Sequence, residues 1–187
     1  ISAPFSLAFL TDRQRIRNPE PVLRALPAGA AVIYRDYDDP RRAIIARRYA
    51  AICRKRGVRF LVAGDEALAR LVGADGVHWP AWARVPAPSK REGNNGSSFL
   101  FTAACHDAGE IRLAHARGAD LALVSPAFAT VSHPNTEHLG PARFRALAAA
   151  SPLPVLALGG VDAGNAALLA GRNVAGIAAI SAFFADA

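Results

Sequence analysis

Three glycines constrain this chain more than any other feature. Gly29, Gly73 and Gly118 open the segments "GAAVIYRD", "GADGVHWP" and "GADLALVSP", and they stand 44 and 45 residues apart. A fourth segment of the same kind, "VAGIAAIS", begins at Val174. Each places small residues ahead of a short apolar run of strand type. One strand–helix unit takes roughly 20 to 25 residues, so a period near 45 fits two such units. The intervening stretches "RNPEPVLRALP", "DPRRAIIARRYAAICRKRG", "DEALARLVG", "DAGEIRLAHARG" and "GPARFRALAAAS" carry apolar residues at helical spacing. "VRFLVAG", "SSFLFTAA" and "PVLALGG" are short apolar runs bounded by turns.

Helices alternating with buried strands require a parallel sheet. Strands are expected near residues 6–11, 31–35, 58–63, 76–79, 98–104, 121–125, 154–158 and 175–180. Eight parallel strands with helices between them predict an α/β chain folded as a single (βα)8 TIM barrel over residues 1–187. That length holds one core and little of a second. An open doubly wound sheet is the alternative, but no GxGxxG follows the first strand and the even repeat suits closure. Two units are thin. "PAWARVPAPSKREGNNGSS", after strand four, is too rich in Pro, Gly, Asn and Ser for a full helix and reads as a loop or reduced helix. The chain closes on "SAFFADA", so the eighth helix is expected to be short or absent, with Phe183 and Phe184 filling core at that end of the barrel.

The net charge is +7, from 22 Lys+Arg against 15 Asp+Glu, and nearly all of the positive charge is Arg. Arg forks suit phosphorylated metabolites. The charge is scattered, and its densest stretch, "RRAIIARRYAAICRKRG", reads as a solvated helix face, so nucleic acid is not expected as a partner. No uncharged apolar run approaches the roughly 18 residues of a membrane helix. The N-terminal "ISAPFSLAFLTDR" has no basic leader and reads as a first strand rather than a signal peptide. No Met occurs, which points to a processed or trimmed start. The two cysteines, Cys53 and Cys105, form no CxxC and read as free thiols, and a reducing, cytoplasmic setting fits them.

In a TIM barrel the chemistry sits at the C-terminal ends of the strands, often with a phosphate site after strands seven and eight. Gly159 and Gly160 close strand seven, and Ile180 and Ser181 close strand eight. Glycines can bring main-chain N–H groups against a ligand oxygen, and a helix start aims more donors at the same point. These four residues are the expected phosphate cup. The plainer alternative is a tight turn into a helix capped by Asp162.

"FLTDR", "RGVRFLVAGDEALARLVGADGVHWP", "GADLALVSPAFATVSHP", "PVLALGGVDAGNAALLAGRN" and "VAGIAAISAFF" together resemble the thiamine-phosphate synthase/TenI family, in the right order over nearly the whole chain. The resemblance implies a TIM barrel. It also implies one of two activities: Mg²⁺-dependent joining of a pyrimidine methyl diphosphate to a thiazole phosphate, or metal-free tautomerisation of that thiazole phosphate.

The family's metal–diphosphate motifs are only partly matched. Its Arg-Glu-Lys reads Arg35-Asp36-Tyr37, which keeps the Arg and loses the Lys. Its strand-three Asp falls on Gly64, with Asp65 adjacent as a possible metal ligand, and its later Asp falls on Ala83. The Ser ahead of the strand-five His is Ala104, and the loop after strand six reads Thr130-Val131-Ser132-His133. By this resemblance Arg35, Thr130, Ser132 and His133 are substrate-binding residues beside Gly159, Gly160, Ile180 and Ser181. His106 is the candidate general acid/base, a role for which imidazole is suited near neutral pH; shaping the pocket is its alternative role. His133 and His138 could form a metal pair but lack an evident third ligand. His78 is expected to pack at the barrel rim and His115 to sit on a helix surface.

The leading expectation is thus a thiamine-biosynthesis protein that binds a small phosphorylated substrate, of TenI-like or divergent synthase type. The alternatives are an active synthase with a displaced metal site on Asp65 plus Asp36 or Asp38, needing Mg²⁺ as cofactor, and a non-catalytic phosphate-ligand binder. A homo-oligomer is possible in each case.

Overall fold

The computed structural model describes residues 2–83, 93, 98–130 and 137–182. Its strands are β1 (Leu7–Leu10), β2 (Ala31–Tyr34), β3 (Arg59–Ala63), β4 (Gly76–Trp79), β5 (Leu100–Cys105), β6 (Leu121–Val124), β7 (Val155–Ala157) and β8 (Val174–Ala179). Each pairs in parallel with the next, and β8 pairs with β1, which closes the barrel. The helices are α1 (Glu20–Ala25), α2 (Arg42–Arg56), α3 (Glu66–Leu71), α4 (Ala108–Ala116) and α5 (Gly140–Ala149). The order is that of a TIM barrel. The stretch after β4 lies largely outside the described residues, as do Phe183 and Phe184 at the chain end.

Alternation along each strand divides the core into two layers. Ala8, Leu10, Ala31, Ile33, Leu61, Ala63, Leu121, Leu123, Leu156 and Ala178 fill the barrel interior, so small residues interleave with branched ones. The outward positions, among them Phe9, Val32, Tyr34, Phe60, Phe101 and Val124, pack under the helices. Strands buried on both faces are mostly apolar throughout, which is why β2 and β6 read as continuous apolar runs.

Local signals place the helix ends. Asp65 and Asp107 are N-caps, their Oδ1 atoms accepting from Leu68 N and Glu110 N at 2.8 Å each. Gly57, at φ +67°, ends α2 in the left-handed region, where glycine carries no Cβ penalty. The unit after β7 differs from its neighbours. It holds a 3₁₀ turn of four residues, Ala166–Leu169, and no α-helix. Asp162 Oδ1 accepts from Gly164 N and Asn165 N, and Asn165 returns a bond from Nδ2 to Gly160 O. These side-chain bonds close the turn locally and compete with helical pairing. Asp162 therefore organises a loop instead of capping a helix. Among the described residues no helix is long and apolar enough to cross a membrane.

Candidate functional site at the C-terminal rim

The ends of β6 and β7 are joined by main chain. Ala127 N donates to Leu158 O at 2.9 Å and Phe128 N to Gly159 O at 3.0 Å, so the chain leaving β6 crosses directly over the glycine pair. Gly159 and Gly160 have φ of +90° and +64°. A Cβ on Gly160 would lie 2.3 Å from Ala129 O, and one on Gly159 would lie 3.0 Å from Pro126 Cα. The glycines are needed as much for this crossing as for any ligand, and no motif announced it. The N–H groups of Gly159, Gly160, Ile180 and Ser181 donate to no acceptor among the described residues. The β7–β8 register pairs Ala157 with Ile177, which carries both exits to one stretch of rim. Thr130 borders it, with Cγ2 3.4 Å from the place a Gly159 Cβ would take. Ser132 and His133 lie outside the described residues.

His106 follows β5, and the register Cys105–Val124 brings it level with Ser125. Its Nδ1 stands 2.6 Å from Ser125 O. A carbonyl only accepts, so Nδ1 carries the hydrogen, and in the neutral ring the lone pair lies on Nε2. His106 N donates to Glu110 Oε2 at 2.6 Å, which ties the residue to the start of α4. The residue is exposed, with its ring held by Ser125 and its main chain by Glu110. Ser125 precedes Pro126, the residue that abuts Gly159, so one residue separates the partner of His106 from the glycine turn. Cys105 faces the opposite way, into the helix layer, and burial pushes its thiol up to about 12.

On the β1–β2 side Arg35 N donates to Thr11 Oγ1 at 2.9 Å and Arg35 Nε to Thr11 O at 3.2 Å, while Nη2 lies 3.7 Å from Asp12. Burial lowers the pKa of this guanidinium from its usual value. The register Ala63–His78 sets His78 level with the end of β3, and its side chain is packed inward. It lies within the barrel, 2% exposed, with Nδ1 2.9 Å from Thr102 Oγ1. Burial, and then the Arg35 charge, depress its pKa to about 3, so it is neutral at physiological pH. His115 lies on the exposed face of α4.

Asp65 and Asp36, after β3 and β2, are engaged. Asp65 caps α3 through Oδ1, and its Oδ2 lies 3.7 Å from Arg42. Asp36 Oδ1 accepts from Arg13 N at 2.8 Å. Asp38 is exposed. Among the described residues no group of three His, Cys, Asp or Glu side chains could hold a metal ion.

The family model described as Thiamine monophosphate synthase matches residues 7–183. The chain belongs to the thiamine-phosphate synthase/TenI family. It is 33% identical over 180 residues to the thiamine-phosphate synthase of Thioalkalivibrio sulfidiphilus, covering 94% of this chain and 83% of that protein. It is 37% identical over 169 residues to the thiamine biosynthesis bifunctional protein ThiM/ThiE of Symbiobacterium thermophilum, where the match covers 88% of this chain and 35% of that longer protein. Thiamine phosphate pyrophosphorylase from Pyrococcus furiosus superposes with a TM-score of 0.79 at 25% identity, over 95% of this chain and 86% of that one.

Within this thiamine-phosphate synthase/TenI barrel, Gly64 and Tyr37 stand on the turns after β3 and β2. Gly64 stands at φ +71°, and a Cβ there would meet Tyr37 Cε1 at 3.4 Å and Trp82 Cη2 at 3.6 Å. Tyr37 and Trp82 pack edge to face, with centroids 5.5 Å apart. The carboxylate next to Gly64 is thus a helix cap beside an Arg, and two aromatic rings pack on the turn at ordinary contact distance. Sequence reasoning missed this ring pair. The Trp in "GVHWPAW" was its only signal.

Proposed function

We propose that this barrel binds a thiazole phosphate and moves a proton on its ring without a metal ion. The phosphate rests on the open N–H groups of Gly159, Gly160, Ile180 and Ser181, with the hydroxyl of Thr130 beside them. The observation that carries the reading is the hydrogen bond from His106 Nδ1 to Ser125 O, which in the neutral ring leaves the lone pair on Nε2; Ser125 is followed by Pro126, which abuts the glycine turn. Nε2 takes a proton from one ring carbon, and the electron pair delocalises into the heterocycle. The imidazolium then returns the proton at another atom, so the step is an isomerisation with no net change in charge. Arg35, held by Thr11, presents its remaining donors to an anionic group on the ligand.

The test is NMR observation of isomerisation of the thiazole tautomer phosphate, in the presence of a chelator. Turnover should be seen, and His106→Ala should lower it by about 10²-fold or more. Binding without turnover, or an unaffected His106→Ala variant, overturns the catalytic assignment.

A second reading is favoured by the 33% identity to a thiamine-phosphate synthase over 83% of that protein. It requires release of diphosphate from a pyrimidine methyl diphosphate and thiazole phosphate in the presence of millimolar Mg²⁺. The engagement of Asp65 with Leu68 N and Arg42 argues for the metal-free reading.

A further inference from the structure

A cleft opens in the helix layer where the start of α1 meets the first turns of α2, and it encloses about 450 Å³. Ile16, Pro19, Ile45 and Tyr49 give it apolar walls. Arg13, Arg17, Arg41 and Arg48 line it beside them. Three carboxylates also reach the cleft, and each is already engaged. Asp39, 8% exposed, lies 3.0 Å from Arg13 Nη1 and 3.6 Å from Arg41 Nε. Glu20 pairs with Arg48 and with Arg24. Asp36 Oδ1 accepts from Arg13 N. Arg17 is exposed, and its guanidinium pairs with no group among the described residues. A guanidinium carries five N–H donors, so Arg13, Arg41 and Arg48 keep free donors after these pairs are made. The cleft thus holds an excess of donors and of positive charge. Tyr49 belongs to the outer core beneath the helices, and among the described residues neither Arg35 nor the glycine pair lines the cleft.

We propose that this cleft between α1 and α2 binds a small organic phosphate monoester. The phosphate oxygens accept from Arg17 and from the free donors of Arg13, Arg41 and Arg48, and the organic part covers Ile16 and Ile45. Planar guanidinium forks match phosphate oxygens in pairs and are more weakly hydrated than an ammonium group, which suits a partly enclosed site. Asp39 and Glu20 hold the Arg13 and Arg48 side chains before a ligand arrives, so less freedom is lost on binding. The apolar walls favour an ester over the free ion, because inorganic phosphate leaves them wet. The site is independent of the glycine turn and of the proton transfer assigned to the rim.

Proton–nitrogen NMR spectra of the isotope-labelled protein read both places at once. The side-chain Nε–H signals of Arg17 and Arg48 report the cleft, and the main-chain signals of Gly159 and Gly160 report the glycine turn. Phenyl phosphate, titrated at constant ionic strength, should shift the two arginine signals saturably. Inorganic phosphate should shift the same signals with an apparent affinity about tenfold weaker, and neither phenol nor chloride should shift them. Arg17→Gln changes an exposed, unpaired side chain, and it should weaken phenyl phosphate by about tenfold as read at Arg48. Shifts that never saturate, equal shifts with chloride, equal affinity for the ester and the free ion, or unaltered affinity in Arg17→Gln overturns the proposal. Saturable shifts confined to Gly159 and Gly160 also overturn it, since the ligand then occupies the glycine turn alone.

Discussion

His78 and His106 come from neighbouring strands and have opposite surroundings. His78 is enclosed in the barrel with one hydroxyl partner among the described residues, Thr102. His106 stands on the rim with its tautomer fixed by a carbonyl. Alternation along β4 and β5 could be read from the chain, but the depth of each ring along the barrel axis could not, because it depends on the stagger of the closed sheet. The difference has a measurable consequence for His78. Its folded pKa of about 3 lies below the unfolded value of 6.5, so between those limits the unfolded chain binds a proton that the folded chain refuses. Stability must then fall as pH falls from 6.5 towards 3, with a ceiling of about 1.4 kcal/mol per pH unit from this group. His78→Gln keeps a polar partner for Thr102 and removes the titration. Urea unfolding of both proteins across this range should show the unaltered chain losing stability faster with acid. Parallel pH profiles for the two would refute the assignment.

At the scale of elements, the strands and the five helices follow from apolar spacing and from caps that can be read three residues apart, as in Asp107 with Glu110. The unit after β7 is where that reading stops. "VDAGNAALLAG" has helical composition, yet Asp162 and Asn165 bond to nearby main chain and only a short 3₁₀ turn remains. The glycine pair could be recognised as a special turn, but the main chain that crowds it comes from β6, a long-range contact without a local signature. Two glycines separate these effects. Gly140 has φ +67° and no atom of the described residues within 4 Å of its missing Cβ; Gly160 has φ +64° and Ala129 O at 2.3 Å. Gly140→Ala should therefore cost about 1 kcal/mol, from backbone strain alone. Gly160→Ala carries the same strain and must also displace the 126–130 segment, adding about 1–3 kcal/mol. Thermal unfolding of the pair measures the difference directly, and equal losses would mean that the β6 chain does not press on the glycine turn.

For the molecule as a whole, closure is the property that the 44- and 45-residue spacing implied and that strand pairing bears out. The outer core falls into two clusters. One lies beneath α1, α2 and α3 and includes Cys53; the other lies beneath α4 and α5 and includes Cys105. An open sheet could let such halves separate, each fraying from its own edge. A closed barrel has no edge, and here one interior layer, drawn from β1, β2, β3, β6, β7 and β8, is shared by both halves. Neither half can lose its helices without exposing that layer. The two thiols report on this, since both are free, nearly inaccessible and raised by burial to about 12. In the native protein neither should react with a disulfide reagent at mildly alkaline pH, because little thiolate forms and the sulfurs are covered. Through a urea titration, both should become reactive over a single transition that coincides with loss of helical circular dichroism. Mass mapping of the labelled cysteine at each urea concentration distinguishes the sites. Cys105 labelling well ahead of Cys53, or the reverse, would show that the halves open separately and that the shared interior does not couple them.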